Sequence, residues 1–328
     1  MDRHSICSFT LIGISLLLLM GAREQCQIID VKVKNKDLKY VTLLKEFEFH
    51  KNYSYLPKQQ SFKVEVPGSF EFTIQNCNGN ITIKESTDKE INIRIKEVLR
   101  TNSKKKIEIN NYPQVISYEK NDSALDIKVL PQEELAKTFE LGKDDFYFET
   151  EFTIMVPKGL KKVSIISTSG EVNANLTSKL NITTTNGDIR AKVEDNDAEF
   201  SSTNGDIGFT HIRGKISLSN TNGDIVGDID SSLINFSGTN GDIKVALKNL
   251  QGGEIAVSNG DIETYIRNTK NLSISACNSR GDIKIDLKNV TKSDNGKEIK
   301  AVIGNPDKEL KIQNSNGDIK IITIKKKS

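Results

Sequence analysis

From Ser61 onward, apolar and polar positions alternate with a period of two, which predicts strands and not helices. Phe62, Val64 and Val66 alternate up to Pro67-Gly68. Phe70, Phe72 and Ile74 then lead to Asn78-Gly79, and Ile81 and Ile83 lead away from it. Ile91, Ile93 and Ile95 predict a further strand, as do Ile107 with Ile109 and the stretch from Leu125 to Val129. Gln132 to Leu141 is the one stretch that reads as a short helix. Phe146, Phe148, Thr150, Phe152, Ile154 and Val156 then alternate up to Pro157-Lys158-Gly159. So long and one-sided a strand predicts a sheet closing the first coil of a stack, because an open end would expose apolar core and unpaired backbone. Before Ser61 the chain is a charged lead-in with short alternating patches such as Ile29, Val31 and Val33.

The second half repeats one phrase. Asn-Gly-Asp-Ile occurs at Asn186, Asn204, Asn222, Asn240, Asn259 and Asn316, with the variant Arg280-Gly281-Asp282-Ile283. Subtracting residue numbers, Gly187, Gly205, Gly223 and Gly241 are each 18 apart, Gly260 follows after 19 and Gly281 after 21. A fainter copy, Ser169-Gly170-Glu171-Val172, lies 17 before Gly187. From Gly281 to Gly317 is 36, which reads as two coils of 18 with a degraded copy at Asn295-Gly296-Lys297-Glu298-Ile299. Leu180, Ile182 and Thr184 lead into one corner and Ile189, Ala191 and Val193 lead out, so each coil supplies two strands facing one core.

Asn-Gly between alternating runs is also a strong hairpin signal, which raises an antiparallel stack of hairpins as the other solution. The period separates them, since a coil lying on its own copy must repeat every inward and outward position, whereas a meander need not. The predicted fold is all-β, a parallel β-solenoid of 18-residue coils capped by an N-terminal β-rich region.

The repeated residues invite structural roles first. By parity the motif asparagines, Asn186, Asn204, Asn222, Asn240, Asn259 and Asn316, face the core and form an amide ladder. Gly187, Gly205, Gly223, Gly241, Gly260 and Gly317 supply a positive φ at the corner. Asp188, Asp206, Asp224, Asp242 and Asp261 form a row with neighbours about 4.8 Å apart. Two unit charges at that distance repel by about 1 kcal/mol in water and by several at an effective dielectric of about 20. Backbone N–H groups at the turn and lysines such as Lys244, Lys284 and Lys320 can offset this. Calcium is the other solution, with these five aspartates as its candidate ligands, although the phrase lacks the second glycine pattern of calcium-binding β-rolls.

Composition narrows the class. Lys+Arg 46 against Asp+Glu 44 gives a formal net charge of +2, no footprint for nucleic acid, and the basic tail Lys325-Lys326-Lys327 reads as a solvated terminus. A hydrophobic fraction of 36% without tryptophan suits a thin core. Arg3, the apolar run Leu11 to Met20 and small Gly21 and Ala22 read as a secretory signal cut near Ala22, with an uncleaved anchor as the alternative. Nothing later approaches transmembrane length. Cys26 suggests lipidation, but Arg23-Glu24-Gln25 before it are not the small residues of a lipoprotein cleavage site. Cys26, Cys77 and Cys277 are too few to hold the fold and have no metal-like spacing.

No catalytic constellation is visible. His4, His50 and His211 have no partner motif, and His211 reads as a surface or loop residue. The aspartate row keeps a carbohydrate-active β-helix enzyme as a distant alternative, though its acids follow the repeat and do not break it at a cleft. Arg280-Gly281-Asp282 spells an integrin-recognition tripeptide, yet one substitution in the repeat produces it.

The stretch from Phe72 to Ile83 around Asn78-Gly79-Asn80-Ile81, the join Ile154-Met155-Val156-Pro157-Lys158-Gly159-Leu160 and the Thr-Asn-Gly-Asp-Ile coils together resemble the bacterial "putative adhesin" family of unknown function. The resemblance covers about Ser61 to the C-terminus. It implies an exported or envelope-associated β-solenoid with no established catalytic residues. The expected organisation is a signal peptide at 1–22, a lead-in at 23–60, an N-terminal β region and cap at 61–160 and the repeat solenoid at 161–328. The expected function is an exported cell-envelope scaffold or adhesin that binds protein or glycan. No cofactor is expected unless calcium stabilises the coils.

Overall fold

The computed structural model describes residues 42–45, 48–50, 53–67, 69–101, 115–140, 142, 146–267, 269–287, 290–294 and 298–323. The leader at 1–22, Cys26, the Ile29 to Val33 patch, Ile107 and Ile109, residues 295–297 and the Lys325–Lys327 tail lie outside those residues.

Each coil is two strands joined at the Asn-Gly corner. Lys179–Asn186 runs along a first face, turns at Gly187-Asp188 and returns along a second face as Ile189–Glu194. The next coil lies parallel on it: Leu180 is opposite Ala198, Asn186 opposite Asn204, and Ile189 opposite Ile207. Successive coils follow in the same register up to Asn259, with Asn222 opposite Asn240 and Asn240 opposite Asn259. The chain is therefore a parallel β-solenoid, and the hairpin stack does not form.

Alternation fills the space between the faces. Ile189, Ile207, Ile225, Ile243, Ile262 and Ile319, which follow six of the corner aspartates, are all buried. Phe200, Leu218 and Phe236 meet them from the first face. Phe209 packs edge-on to Phe236 with ring centroids 5.7 Å apart. The neighbouring coil makes room for that ring with Gly227, where any Cβ would collide with Phe209.

The N-terminal end closes the stack with antiparallel strands. Glu71–Asn78 and Ile81–Ser86 form the coil beneath Gly170, with Asn78 opposite Ser169 and Ile81 opposite Val172. Ala124–Val129 and Phe146–Pro157 lie parallel beneath that coil, the helix Gln132–Phe139 lies in the connection between them, and Thr150 takes the place beneath the Gly79 corner. Glu133 and Glu134 suit the helix's first turn, and Leu135, Ala136 and Phe139 bury one face of it. Glu90–Thr101 then pairs antiparallel with Phe146–Pro157, and Tyr53–Glu65 pairs antiparallel with Glu90–Thr101. In this cap Glu97 is fully buried, bonded by the Gln60 amide, with the Lys58 ammonium 3.6 Å away.

At the other end the order along the stack departs from the order along the chain. Lys308–Asn316 pairs parallel on one side with Gly252–Asn259 and on the other with Leu272–Arg280. Ile319–Thr323 lies likewise between Ile262–Arg267 and Ile283–Asp286. The last coil of the chain is thus inserted between the Gly260 and Gly281 coils.

The described strands on either side of residues 295–297 do not stack as the expected coil. Val290–Asp294 and Glu298–Ile303 pair antiparallel with each other, and Glu298–Ile303 pairs antiparallel with Leu272–Arg280. After Gly296 the chain has Lys297 and Glu298 where a corner has aspartate and isoleucine, so the apolar anchor arrives one residue late. The hairpin instead covers the edge of the first face, as the antiparallel strands do at the opposite end.

Insertion of the final coil predicts its protection. In native-state hydrogen exchange, the amides of Ile312 and Ile321 should exchange as slowly as that of Val245 in mid-stack. Exchange as fast as at a frayed chain end would contradict the insertion.

Candidate functional site at the stacked corners

Stacking the coils turns each motif position into a row. Asn204 Nδ2 donates to Asn186 Oδ1 at 2.8 Å, Asn222 to Asn204 at 2.8 Å, Asn240 to Asn222 at 2.9 Å, Asn259 to Asn240 at 2.9 Å and Asn316 to Asn259 at 2.9 Å. The asparagines make this ladder on the outside of the corner, and Asn186, Asn204, Asn222, Asn240 and Asn259 are exposed. Their expected core-facing parity is therefore wrong, because alternation stops at the residue two before them. That earlier residue is the inward one. Asn220 Nδ2 donates to the Gly205 carbonyl at 2.9 Å, Asn314 to Gly260 at 2.8 Å, Asn278 to Gly317 at 2.8 Å, and the Thr184 hydroxyl to Gly187 at 3.1 Å. A buried hydroxyl or amide thus satisfies the corner carbonyl from within.

The aspartates form a second outer row. Asp188 Oδ1 accepts the backbone N–H of Asp206 at 2.9 Å, and the pattern continues from Asp206 to Asp224 at 2.8 Å, Asp224 to Asp242 at 2.8 Å and Asp242 to Asp261 at 2.7 Å. Asp261 then accepts from Asp318 at 2.8 Å, and Asp318 from Asp282 at 2.9 Å, following the spatial order of the coils. A hydrogen bond to a charged acceptor contributes about 1.5–3 kcal/mol, against a repulsion of about 1 kcal/mol between solvated neighbours. The backbone is thus sufficient to hold the row together. Among the described residues, no group of three or more His, Cys, Asp or Glu side chains is arranged to hold a metal ion.

Beside the corner, the first face turns three rows of residues outward. Thr185, Thr203, Thr221, Thr239 and Ser258, each preceding a motif asparagine, are exposed. Two residues earlier come Thr183, Ser201, Ser219 and Ser237, in register across adjacent coils. Two earlier again are Asn181, Glu199, Ser217, Asn235 and Glu254. Hydroxyls and amides dominate this face, and Glu199 and Glu254 are the charges in the three rows between Asn181 and Ser258.

The second face is charged. Lys244 and Lys320 flank Glu263 at 3.1 and 2.8 Å. Hydrogen bonds from Lys320, Tyr265 and Lys244 hold the Glu263 carboxyl down at about 2.

His211 is buried, contrary to its expected surface place. It lies in register between Val193 and Ile229, so its coil position is a core position. Its Nδ1 is 2.7 Å from Ser232 Oγ and its Nε2 2.9 Å from the Asn196 carbonyl. Burial pushes its pKa below the ordinary histidine value. Cys77 and Cys277 are both free thiols, and burial raises the pKa of Cys77. Arg280, Gly281 and Asp282 are exposed at the corner of the outermost coil.

The corner geometry predicts unequal effects of two glycine substitutions. At Gly223, φ is +131° and a Cβ would collide with the Gly205 carbonyl, whereas at Gly208 the nearest atom is 3.8 Å away. Gly223→Val should lower stability by about 3 kcal/mol or more, and Gly208→Ala should change it by less than about 1 kcal/mol, in urea unfolding. Equal stability of the two variants would contradict the close stacking of corners.

Comparison with solved structures finds proteins of low sequence identity. One described as a putative adhesin from Bacteroides fragilis is 16% identical over 80% of this chain and 97% of its own, with a TM-score of 0.44. Another, described as a putative lipid binding protein from Parabacteroides distasonis, is 15% identical over 81% of this chain and 97% of its own, with a TM-score of 0.45. A putative adhesin from Parabacteroides merdae is 15% identical over 81% and 96%, with a TM-score of 0.44. No curated protein sequence matches. The family model described as Toastrack DUF4097 matches residues 69–322, from the first coil to the last, and the chain belongs to that family.

Proposed function

We propose that this chain is an exported, non-catalytic scaffold of the cell envelope that binds an extended polysaccharide along its first face. The observation that carries the reading is the outward array of Thr185, Thr203, Thr221 and Thr239 beside Thr183, Ser201, Ser219 and Ser237. Its rows recur at the strand spacing of about 4.8 Å, and its short side chains add little rotamer entropy to binding. Such a face offers paired donors and acceptors at regular intervals, which suits a polymer whose own hydroxyls repeat. A protein ligand would be favoured by apolar anchors, and Ile166 is the one large exposed apolar residue in the hydroxyl rows.

Export is supported by the apolar run from Leu11 to Met20 behind Arg3. The non-catalytic part of the reading is supported by His211, the one histidine whose side chain is described, which is committed to the core. The aspartate row is committed to backbone amides.

Binding to purified bacterial and mucosal polysaccharides tests the proposal. Thr203→Lys combined with Thr221→Lys should weaken binding by about tenfold or more while leaving the melting midpoint unchanged. Absence of polysaccharide binding, or binding that this double variant leaves intact, would remove the reading.

A further inference from the structure

Of the three outward lines on the first face, the one nearest the corner is chemically uniform along the stack. Thr185, Thr203, Thr221, Thr239 and Ser258 continue into Thr168 at the cap end, and into Ser315 and then Ser279 at the other. The inserted coil keeps this line whole, because Ser315 fills the height between Ser258 and Ser279. All eight residues carry a hydroxyl, and all are exposed. Seven strand spacings of about 4.8 Å make the line about 34 Å long. The second line changes from hydroxyls to Ala256, Gln313 and Cys277, and the third carries Glu199, Glu254 and Lys311.

The asparagine ladder runs beside the uniform line. Each amide from Asn204 to Asn259 uses one N–H and one oxygen lone pair within the ladder, which leaves the other N–H and the other lone pair for a ligand. Two adjacent residues of each such coil thus offer a hydroxyl, an amide donor and an amide acceptor, none of them charged. Across one strand the chemistry changes within three outward residues, from Glu199 to Ser201 to Thr203. Along the stack it repeats at every coil. A polymer of repeating hydroxyls meets the same partners at each step only in that second direction.

The aspartate row bears on the charge such a polymer can carry. Asp206, Asp224, Asp242 and Asp261 each lie three residues beyond a member of the hydroxyl line, at most about 10 Å along the backbone. They have no ion-pair partner among the described residues. Their bonds to backbone amides leave the negative charge in place. Two like unit charges about 8 Å apart repel by about 0.5 kcal/mol in water, and the Debye length at physiological salt is also about 8 Å. A polymer with an acid on every unit meets that repulsion at every coil, whereas an uncharged polymer does not. The one cation in the ladder row, Arg280, stands at its outer end.

Resting on the reading of the first face as a polysaccharide site, we propose that it takes an uncharged polymer laid along the stack axis, on the hydroxyl line and the asparagine ladder, and that the aspartate row turns acidic polymers away.

Binding of the full chain to a panel of neutral and acidic bacterial polysaccharides, and to size-fractionated fragments of the tightest neutral binder, tests this. At low salt, acidic polymers should bind about tenfold or more weakly than neutral ones, and in about 1 M salt, where the Debye length is about 3 Å, that gap should close. Affinity for the neutral fragments should rise with length up to an extended span of about 34 Å. Asp206→Asn, Asp224→Asn and Asp242→Asn together keep an oxygen to accept each backbone N–H, and should admit acidic polymers at low salt while leaving neutral binding unchanged. Acidic polymers that bind the wild-type chain at low salt as tightly as neutral ones would overturn the inference and leave the polysaccharide reading standing. So would affinity that stops rising below about 14 Å, the span of three outward residues on one strand. Binding to no polymer of the panel would remove both.

Discussion

Successive corners approach so closely that no side chain fits between them, and the rest of the solenoid follows from that contact. A Cβ on Gly223 would collide with the Gly205 carbonyl, one on Gly317 with Gly260, and one on Gly281 with Gly317. With the corners this close, the Asp N–H of each coil meets the Asp carboxylate of its neighbour, and asparagine amides bond from coil to coil. Glycine, aspartate and asparagine are thus parts of one arrangement, repeated because each corner completes its neighbour. The isoleucine that follows is anchored at a fixed height, which sets the register of both faces.

A ladder that satisfies each coil through its neighbour leaves a problem at both ends. The N-terminal end solves it with the strand Phe146–Pro157, whose Phe148 and Thr150 carbonyls accept the Asn78 and Asn76 amides under the Gly79 corner, and with antiparallel strands that stop the parallel pattern. The other end uses a late coil threaded into the stack and an antiparallel hairpin on the first face. Only the second face there, at Gly281 to Ile283, lacks an equivalent cover among the described residues.

Much of the fold was legible in the sequence because a solenoid writes its geometry as a period. The 18-residue spacing predicted parallel coils, and the alternation around Phe146 predicted the closing strand. Gln132–Phe139 formed the expected helix. Three features were missed for physical reasons. The asparagines point outward because alternation ends at the corner, so parity carried through a turn misleads. His211 is inside because it is 18 residues from both Val193 and Ile229, a signal present in the sequence once register outweighs the habit of placing histidine at surfaces. Insertion of the Gly317 coil left no local mark, since a coil that stacks on any neighbour carries the same residues whatever its place in the order. The hydroxyl rows of the first face were likewise in the sequence, but only the register shows that they align.

The stacked coils provide a periodic surface, and between Asn181 and Ser258 the first face presents mainly hydroxyls and amides, while the second face carries ion pairs such as Lys244 with Glu263. The central claim is that the corner row is held by its own backbone. Thermal unfolding in calcium and then in excess chelator tests it most directly. The account predicts the same melting midpoint in both, because each carboxylate from Asp188 to Asp318 already accepts an amide proton. A midpoint that falls in chelator would contradict it and make the aspartate row a cation site.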